Sequence, residues 1–223
     1  MKTKVLFLIV GAAVVAGALY AASTYYRSSV QSGPAPGKKV PEELLRTDAP
    51  TIGPADAKVT VVEFYDPECE ACAAFHPVVK GLQKEFEGKV RFVSRYATFH
   101  RNARTAALYT EAAGEQGRYW EMQSKLFEEQ DEWGEKHGQG AQPLSQNAVS
   151  ALFDKYAAEL GLNVDQLKAS VNDPKNAARI DRDMRDVDIL QVRRTPTFFV
   201  NGRQLARLNQ QDLRTLIREE LAK

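Results

Sequence analysis

The chain has 223 residues, 43% of them hydrophobic and 26% charged, a composition that excludes whole-chain disorder and suits one domain of ordinary size with tails. Thirty basic and twenty-nine acidic side chains leave a formal charge of +1, so no global field points to an acidic substrate, and no nucleic-acid partner is expected.

Lys2 and Lys4 precede an uncharged, mostly apolar run from Val5 to Ala22, after which Ser23, Thr24, Tyr25, Tyr26 and Arg27 restore polarity. Residues 1–27 therefore read as an export signal, either a retained anchor or a cleaved peptide. As a helix the run spans about 27 Å at about 1.5 Å per residue, just short of a bilayer core of about 30 Å. Tyr20, Tyr25 and Tyr26 extend it as interfacial anchors. Ala16-Gly17-Ala18 has the small-x-small pattern of a cleavage site, but apolar residues continue to Ala22, which favours the anchor. In both readings the rest of the chain faces an oxidising space, the periplasm or the cell surface, with the starting lysines in the cytoplasm. The chain is tethered in the first reading and soluble in the second.

Residues 28–47 begin Ser-Ser-Val-Gln-Ser-Gly-Pro-Ala-Pro-Gly, a stretch too poor in apolar surface to pack, and read as a flexible linker. The folded domain is expected from Asp48. Lys58 to Tyr65 has the β-branched and aromatic density of a buried strand. Phe75, Val78, Val79, Leu82 and Phe86 then recur at helical spacing before Gly88, and Val90 to Tyr96 reads as a second strand.

From Asn102 the pattern becomes helix after helix, carried by Ala106 to Ala113, Tyr119 to Phe127, Val149 to Leu160, Val164 to Val171 and Pro174 to Leu190. The aromatic stripes of these segments are core packing. Thr197 to Val200 resumes strand character, Asn201-Gly202 signals a hairpin returning through Arg203 to Leu205, and Gln210 to Leu221 closes as an amphipathic helix. The expected architecture is α/β: residues 48–101 and 190–223 form one sheet domain, interrupted by an all-helical insertion at 102–189.

Between the first strand and its helix sits Cys69-Glu70-Ala71-Cys72, which holds the only two cysteines. A disulfide enclosing two residues removes little entropy from the unfolded chain, so the pair is a poor staple. Structural zinc needs four ligands, and no second pair exists. His76, one helical turn past Cys72, would give three local ligands at most, with His100 or His137 needed from elsewhere. A reactive dithiol is the better reading. The helix start favours a thiolate on Cys69, and Cys72, about one turn on, can attack a mixed disulfide formed there.

Glu63-Phe64-Tyr65 before the dithiol, Thr195-Pro196-Thr197-Phe198-Phe199-Val200-Asn201-Gly202 near the end, and Gly117-Arg118-Tyr119-Trp120-Glu121-Met122 within the helical block together resemble the thioredoxin superfamily, in particular the DsbA-like thiol:disulfide oxidoreductases. The resemblance covers Thr51 to the carboxyl end. It implies a thioredoxin-like fold, no cofactor, and protein thiols and disulfides as substrates. It also implies a membrane or extracytoplasmic redox partner that resets the dithiol.

Residue by residue, the resemblance implies that Cys69 attacks and Cys72 resolves. Pro196 would be cis, with Thr195 beside the sulfurs offering its backbone to substrate. Glu63 would lie under the active helix and relay a proton for Cys72; a buried carboxyl holds its proton more readily, which suits that role. In the family the dipeptide between the cysteines tunes the thiolate, and strongly oxidising members carry Pro-His where this chain has Glu70-Ala71. Glu68 and Glu70 oppose a thiolate by like charge, which predicts a weaker oxidant. Arg194, bulkier than in many relatives, would set a cation beside the sulfurs.

The expected protein is a monomeric extracytoplasmic thiol:disulfide oxidoreductase working in the oxidising direction. The alternatives are a reductase or isomerase on the same fold, and a metal-binding or metal-delivery protein using the two sulfurs.

Overall fold

The computed structural model describes residues 15–21, 40–135 and 142–223. The apolar run Val-Thr-Val-Val-Glu-Phe-Tyr forms β2 (Val59–Tyr65), the centre of a five-stranded sheet. A strand buried on both faces needs apolar side chains in both alternating sets, and this one has them. β3 (Val90–Tyr96) runs parallel to it, with Glu63 opposite Ser94. On its other side β4 (Thr197–Val200) runs antiparallel, with Glu63 opposite Phe198. β1 (Thr51–Ile52) and β5 (Arg203–Gln204) complete the order β1-β3-β2-β4-β5.

Each face of this sheet has its own cover. Val59 and Val61 pack with Phe75, Val79 and Leu82 of α1 (Glu70–Glu85), and with Leu213, Leu216 and Ile217 of the closing helix Gln210–Leu221. Val62 and Phe64 point the other way, to Val93, Phe199, Val187, Val192 and Leu44. Glu63 follows Val59 and Val61 in the alternation, so it lies on the face that α1 covers.

Between β3 and β4 come α2 (Ala103–Glu115), α3 (Tyr119–Glu128), α4 (Gln130–Trp133), α5 (Gln146–Glu159), α6 (Val164–Val171) and α7 (Pro174–Ile189); Gln210–Leu221 is α8. Helices α2 to α6 build a second core around Met122, Trp133, Phe153 and Tyr156. Ser145, Asn163, Asp173 and Asn209 cap α5, α6, α7 and α8 by accepting N–H bonds from the first turn, each worth about 1 kcal/mol. Gly117 ends α2 at φ +75°, with Arg118 N donating to Ala113 O and Gly117 N to Gly114 O. This left-handed closure favours glycine, and it explains the glycine that opens the Gly117 to Met122 run.

Two sequence expectations change. The packed body starts before Asp48: Leu44 is 1% exposed and Arg46 donates to Asp186 at 2.7 and 2.9 Å, so the end of the stretch read as linker is part of the fold. Helix α7, read as the end of the inserted block, also closes the second face of the sheet through Val187. In the amino-terminal region residues 15–21 are helical with Val15, Leu19 and Tyr20 exposed. The rest of the apolar run lies outside the described residues, and no helix among the described residues is long and apolar enough to cross a membrane.

What bolts α7 to the sheet is ionic. Arg95, 0% exposed in β3, donates to Asp183 at 2.8 and 3.0 Å, to Asp186 at 2.6 Å and to the carbonyl of Glu43 at 2.8 Å, while its guanidinium lies over the Phe64 ring. Asp183 also accepts from Tyr96 N. The donors of this buried cation are matched, so deleting it takes from buried Asp183 its two guanidinium bonds, while Asp186 keeps only Arg46. Arg95→Ala is expected to lower unfolding stability by about 3–5 kcal/mol, whereas Arg104→Ala, whose pair with Asp181 is exposed, is expected to change it by less than about 1 kcal/mol. Urea denaturation of the two variants checks the contrast.

Candidate active site

The loop Asp66-Pro67-Glu68-Cys69 joins β2 to α1. Cys69 is the residue before the helix, with φ −76° and ψ 120°, and makes no side-chain cap of its own. The N–H groups of Ala71 and Cys72 are therefore left facing its sulfur, the arrangement that favours negative charge at a helix start. The Cys72 thiol donates to the same sulfur. This bond, then Thr195 and the two N–H groups, outweigh the upward push of burial and draw the Cys69 thiol down to about 5.

Cys72, one turn inside the helix, is 1% exposed among Tyr65, Tyr96, Tyr119 and Phe127. Burial first, and the bond to Cys69 next, push its thiol well above the ordinary value. The two sulfurs are therefore unequal: one is a stable thiolate near neutral pH and the other keeps its proton. Both are free thiols in this structure.

A polar frame that sequence reading missed holds this loop. Asp66, fully buried, accepts from Glu68 N at 2.8 Å, Phe99 N at 2.7 Å, His100 N at 3.0 Å and His100 Nδ1 at 2.8 Å. Its own N–H points to Cys72 Sγ at 3.5 Å. Glu68, also buried, accepts from Asn102 N, from Asn102 Nδ2 at 2.7 Å and from Glu135 N at 2.9 Å. Three donors close around that carboxylate, so its charge is bound up in the loop, and the Cys69 thiol sits low despite it. Gln130 of α4 donates to Pro67 O at 2.9 Å and braces the loop from below. The one local signal was Asp66 itself, a short acid directly after a buried strand, which is a turn-forming position.

Glu63, expected under the active helix, lies on the sheet face that α1 covers. It lines a cavity of about 360 Å³ with His76, Val79, Trp120 and Ser124. Deep placement among protein atoms pushes its carboxyl up to about 8, and once ionised it becomes one of the influences that hold the Cys72 proton on. His76, which opens on the same cavity, bonds Ser124 Oγ through Nε2 at 3.1 Å and stacks near Phe127; burial pulls its pKa down to about 4.

The remaining expected site residues divide. The Thr195–Pro196 peptide bond is cis, and the Thr195 carbonyl lies 3.5 Å from Cys69 Sγ, where it accepts from that sulfur in its protonated form. Glu70 and Ala71 are exposed at the start of α1 and line a second cavity of about 370 Å³ with Cys69. Arg194 does not join them: its guanidinium reaches toward the Ala206 carbonyl near β5, at 3.5 Å, and is not among the lining residues. Among the described residues no three His, Cys, Asp or Glu side chains gather as a metal cage, and His137 lies outside them.

A family model described as Thioredoxin matches residues 46–219. The crystal structure of oxidised BdbD from Bacillus subtilis superposes with a TM-score of 0.66 at 26% identity, covering 78% of this chain and 94% of that one. The oxidoreductase DsbA from Xylella fastidiosa superposes at 0.59, also with 26% identity, over 75% and 86% of the two chains. The chain belongs to the thioredoxin superfamily, and its fold is shared with DsbA-like proteins. In sequence it is 38% identical over 155 residues to a protein named Na(+)/H(+) antiporter NhaA 3 from Salinispora tropica, covering 68% of this chain and 21% of that protein. The chain spans about a fifth of the length of the curated relatives it matches.

The Glu63 carboxyl has a direct consequence for stability. An unfolded glutamate ionises near 4.3, the folded one near 8, so between those values folding retains a proton that the unfolded chain gives up. Stability is therefore full below about pH 4.3 and falls as pH rises toward 8. Glu63→Gln is expected to remove this slope and to raise unfolding stability at pH 7 by on the order of 3 kcal/mol. Denaturation of both proteins from pH 5 to 8 measures it; parallel pH profiles would show that Glu63 is ionised in the fold.

Proposed function

We propose that this chain exchanges disulfides with protein substrates outside the cytoplasm and works as an oxidant, with Cys69 as the exchanging sulfur and Cys72 as its resolving partner. One observation carries the reading: the two thiols differ in acidity, Cys69 drawn to about 5 and Cys72 held well above its ordinary value. A thiolate stabilised at the helix start makes Cys69 a good leaving group and favours the reduced enzyme, which is what makes a dithiol oxidising.

In the oxidised enzyme a substrate thiolate attacks Cys69 Sγ. The Cys69–Cys72 bond breaks, a mixed disulfide forms at Cys69, and the electron pair goes to Cys72. Near neutral pH the Glu63 carboxyl still holds its proton, and it is the group in the fold suited to protonate the buried Cys72 sulfur. A second substrate thiolate then attacks the substrate's own sulfur in the mixed disulfide. Cys69 leaves as a thiolate, and the substrate keeps the new disulfide.

Two electrons have passed to the enzyme, and a partner disulfide or a quinone-linked membrane protein must accept them. Thr195 supports substrate docking, because its carbonyl lies against Cys69 Sγ and is presented to any extended segment that enters. The lysines and apolar run at the amino terminus support an extracytoplasmic site of action and a membrane tether. BdbD in its oxidised form and the oxidoreductase DsbA are similar proteins, which supports redox chemistry at the dithiol.

With a reduced two-cysteine peptide as substrate, Cys69→Ser is expected to abolish oxidation and Cys72→Ser to accumulate a covalent Cys69–peptide adduct. Non-reducing electrophoresis and mass analysis read both results. Full turnover by Cys69→Ser would overturn the assignment. A reduced enzyme that instead reduces disulfide peptides faster than the oxidised one forms them would reverse the direction.

A further inference from the structure

Cys69 opens on the cavity of about 370 Å³, whose wall includes His100 and the carboxylates of Glu68, Glu70, Asp131 and Glu135. Among the described residues lining it, His100 is the only basic one. It comes from the turn between β3 and α2, 28 residues beyond Cys72, so nothing in the Cys69 to Cys72 motif announces it.

Its placement is built. Asp66, fully buried and held by three backbone N–H groups, accepts from His100 Nδ1 at 2.8 Å. A carboxylate can only accept, so Nδ1 carries a proton and Nε2 is the nitrogen left for the cavity. The imidazole is 35% exposed, enough to exchange protons with solvent while staying fixed.

We propose that His100, fixed by Asp66, is the cation that sets the pH response of Cys69: as an imidazolium it stabilises the Cys69 thiolate, both at rest and when that sulfur leaves a mixed disulfide. The inference rests on the exchange role proposed for Cys69. In the step concerned, the bond between Cys69 and a substrate sulfur breaks and its electron pair becomes the thiolate facing His100. No proton needs to move.

The surroundings favour the charged imidazole. Burial lowers its pKa, but the Asp66 hydrogen bond and charge, the Cys69 thiolate and Glu68 more than reverse this, so it lies above the ordinary histidine value. Asp66 and Glu68 face it from the loop before α1, Glu70 from α1, Asp131 from α4, and Glu135 from the residues after α4. All are acids, so the cation has no competitor of its own sign in the cavity.

Coupling of this kind is reciprocal. Oxidation of Cys69 and Cys72 removes the thiolate, so the pKa of His100 must fall on oxidation if the pair interacts. Imidazole NMR titration of the unaltered full chain in both redox states reads this directly. The expected result is a higher His100 pKa in the reduced protein, and equal values would overturn the proposal.

The second arm is alkylation of reduced Cys69 as a function of pH. His100→Gln is expected to move the midpoint up by roughly one unit, and His100→Lys to bring it back. A midpoint unmoved in His100→Gln, or moved equally in His100→Lys, would assign His100 a structural role only. Neither arm uses a substrate, so loss of exchange activity in the unaltered protein would count against the proposed function and leave the His100 result standing.

Discussion

Cys69 occupies the position just before α1, where the N–H groups of the opening turn have no helical acceptor, and Cys72 lies one turn inside against Tyr65, Tyr96, Tyr119 and Phe127. Every chemical property of the site follows from that offset. The first sulfur gains hydrogen bonds that only an anion uses well, and the second loses the solvent an anion needs. A dithiol so divided releases its outer sulfur readily and needs a proton source for its inner one. The Glu63 carboxyl lies on the sheet face that α1 covers, and depth raises it to about 8, which suits the proton-donor role proposed for it.

The fold maintains the offset at a seam between two cores. One core packs α1 and α8 on the sheet and the other fills the helical block, while the cluster holding both cysteines also includes Ile180 of α7 and Ala107 of α2. The loop before α1 is pinned to the far side of that seam by carboxylates: Asp66 binds the turn at 99–100, and Glu68 binds Asn102 and the backbone of Glu135. Movement of the helical block relative to the sheet would therefore alter the position of Cys69. Arg95, Asp183 and Asp186 resist such movement by tying β3 to α7.

Much of this was legible in the sequence where chemistry is local. The strand Val59–Tyr65, the helix after it and the hairpin at Asn201-Gly202 have patterns that only one backbone geometry satisfies, and the edges of α6 and α8 fall where the capping residues Asn163 and Asn209 place them. Glu63 stood out because a carboxylate in an apolar strand demands a reason. Short elements were silent: β1 has two residues, fixed by pairing Thr51 with Val93, and α4 has four, fixed by the burial of Gln130 and Trp133.

The polar frame was silent for another reason. Asp66 with His100, Glu68 with Asn102 and Arg95 with Asp183 join residues 34 to 88 positions apart, and no local pattern encodes such a pairing. Arg95 in particular reads as a solvent-facing strand residue until α7 is seen across it. The charge argument from Glu68 rests on the carboxylate alone, because sequence does not show the three donors around it.

The central claim is that one fold gives its two cysteines opposite acidities. Carbon-13 labelling of the cysteine Cβ atoms in the reduced protein, followed by NMR through a pH titration, measures each thiol separately. The account predicts that Cys69 titrates near 5 while Cys72 stays protonated past its ordinary range. Two thiols titrating together near the free-cysteine value of about 8.5 would contradict it.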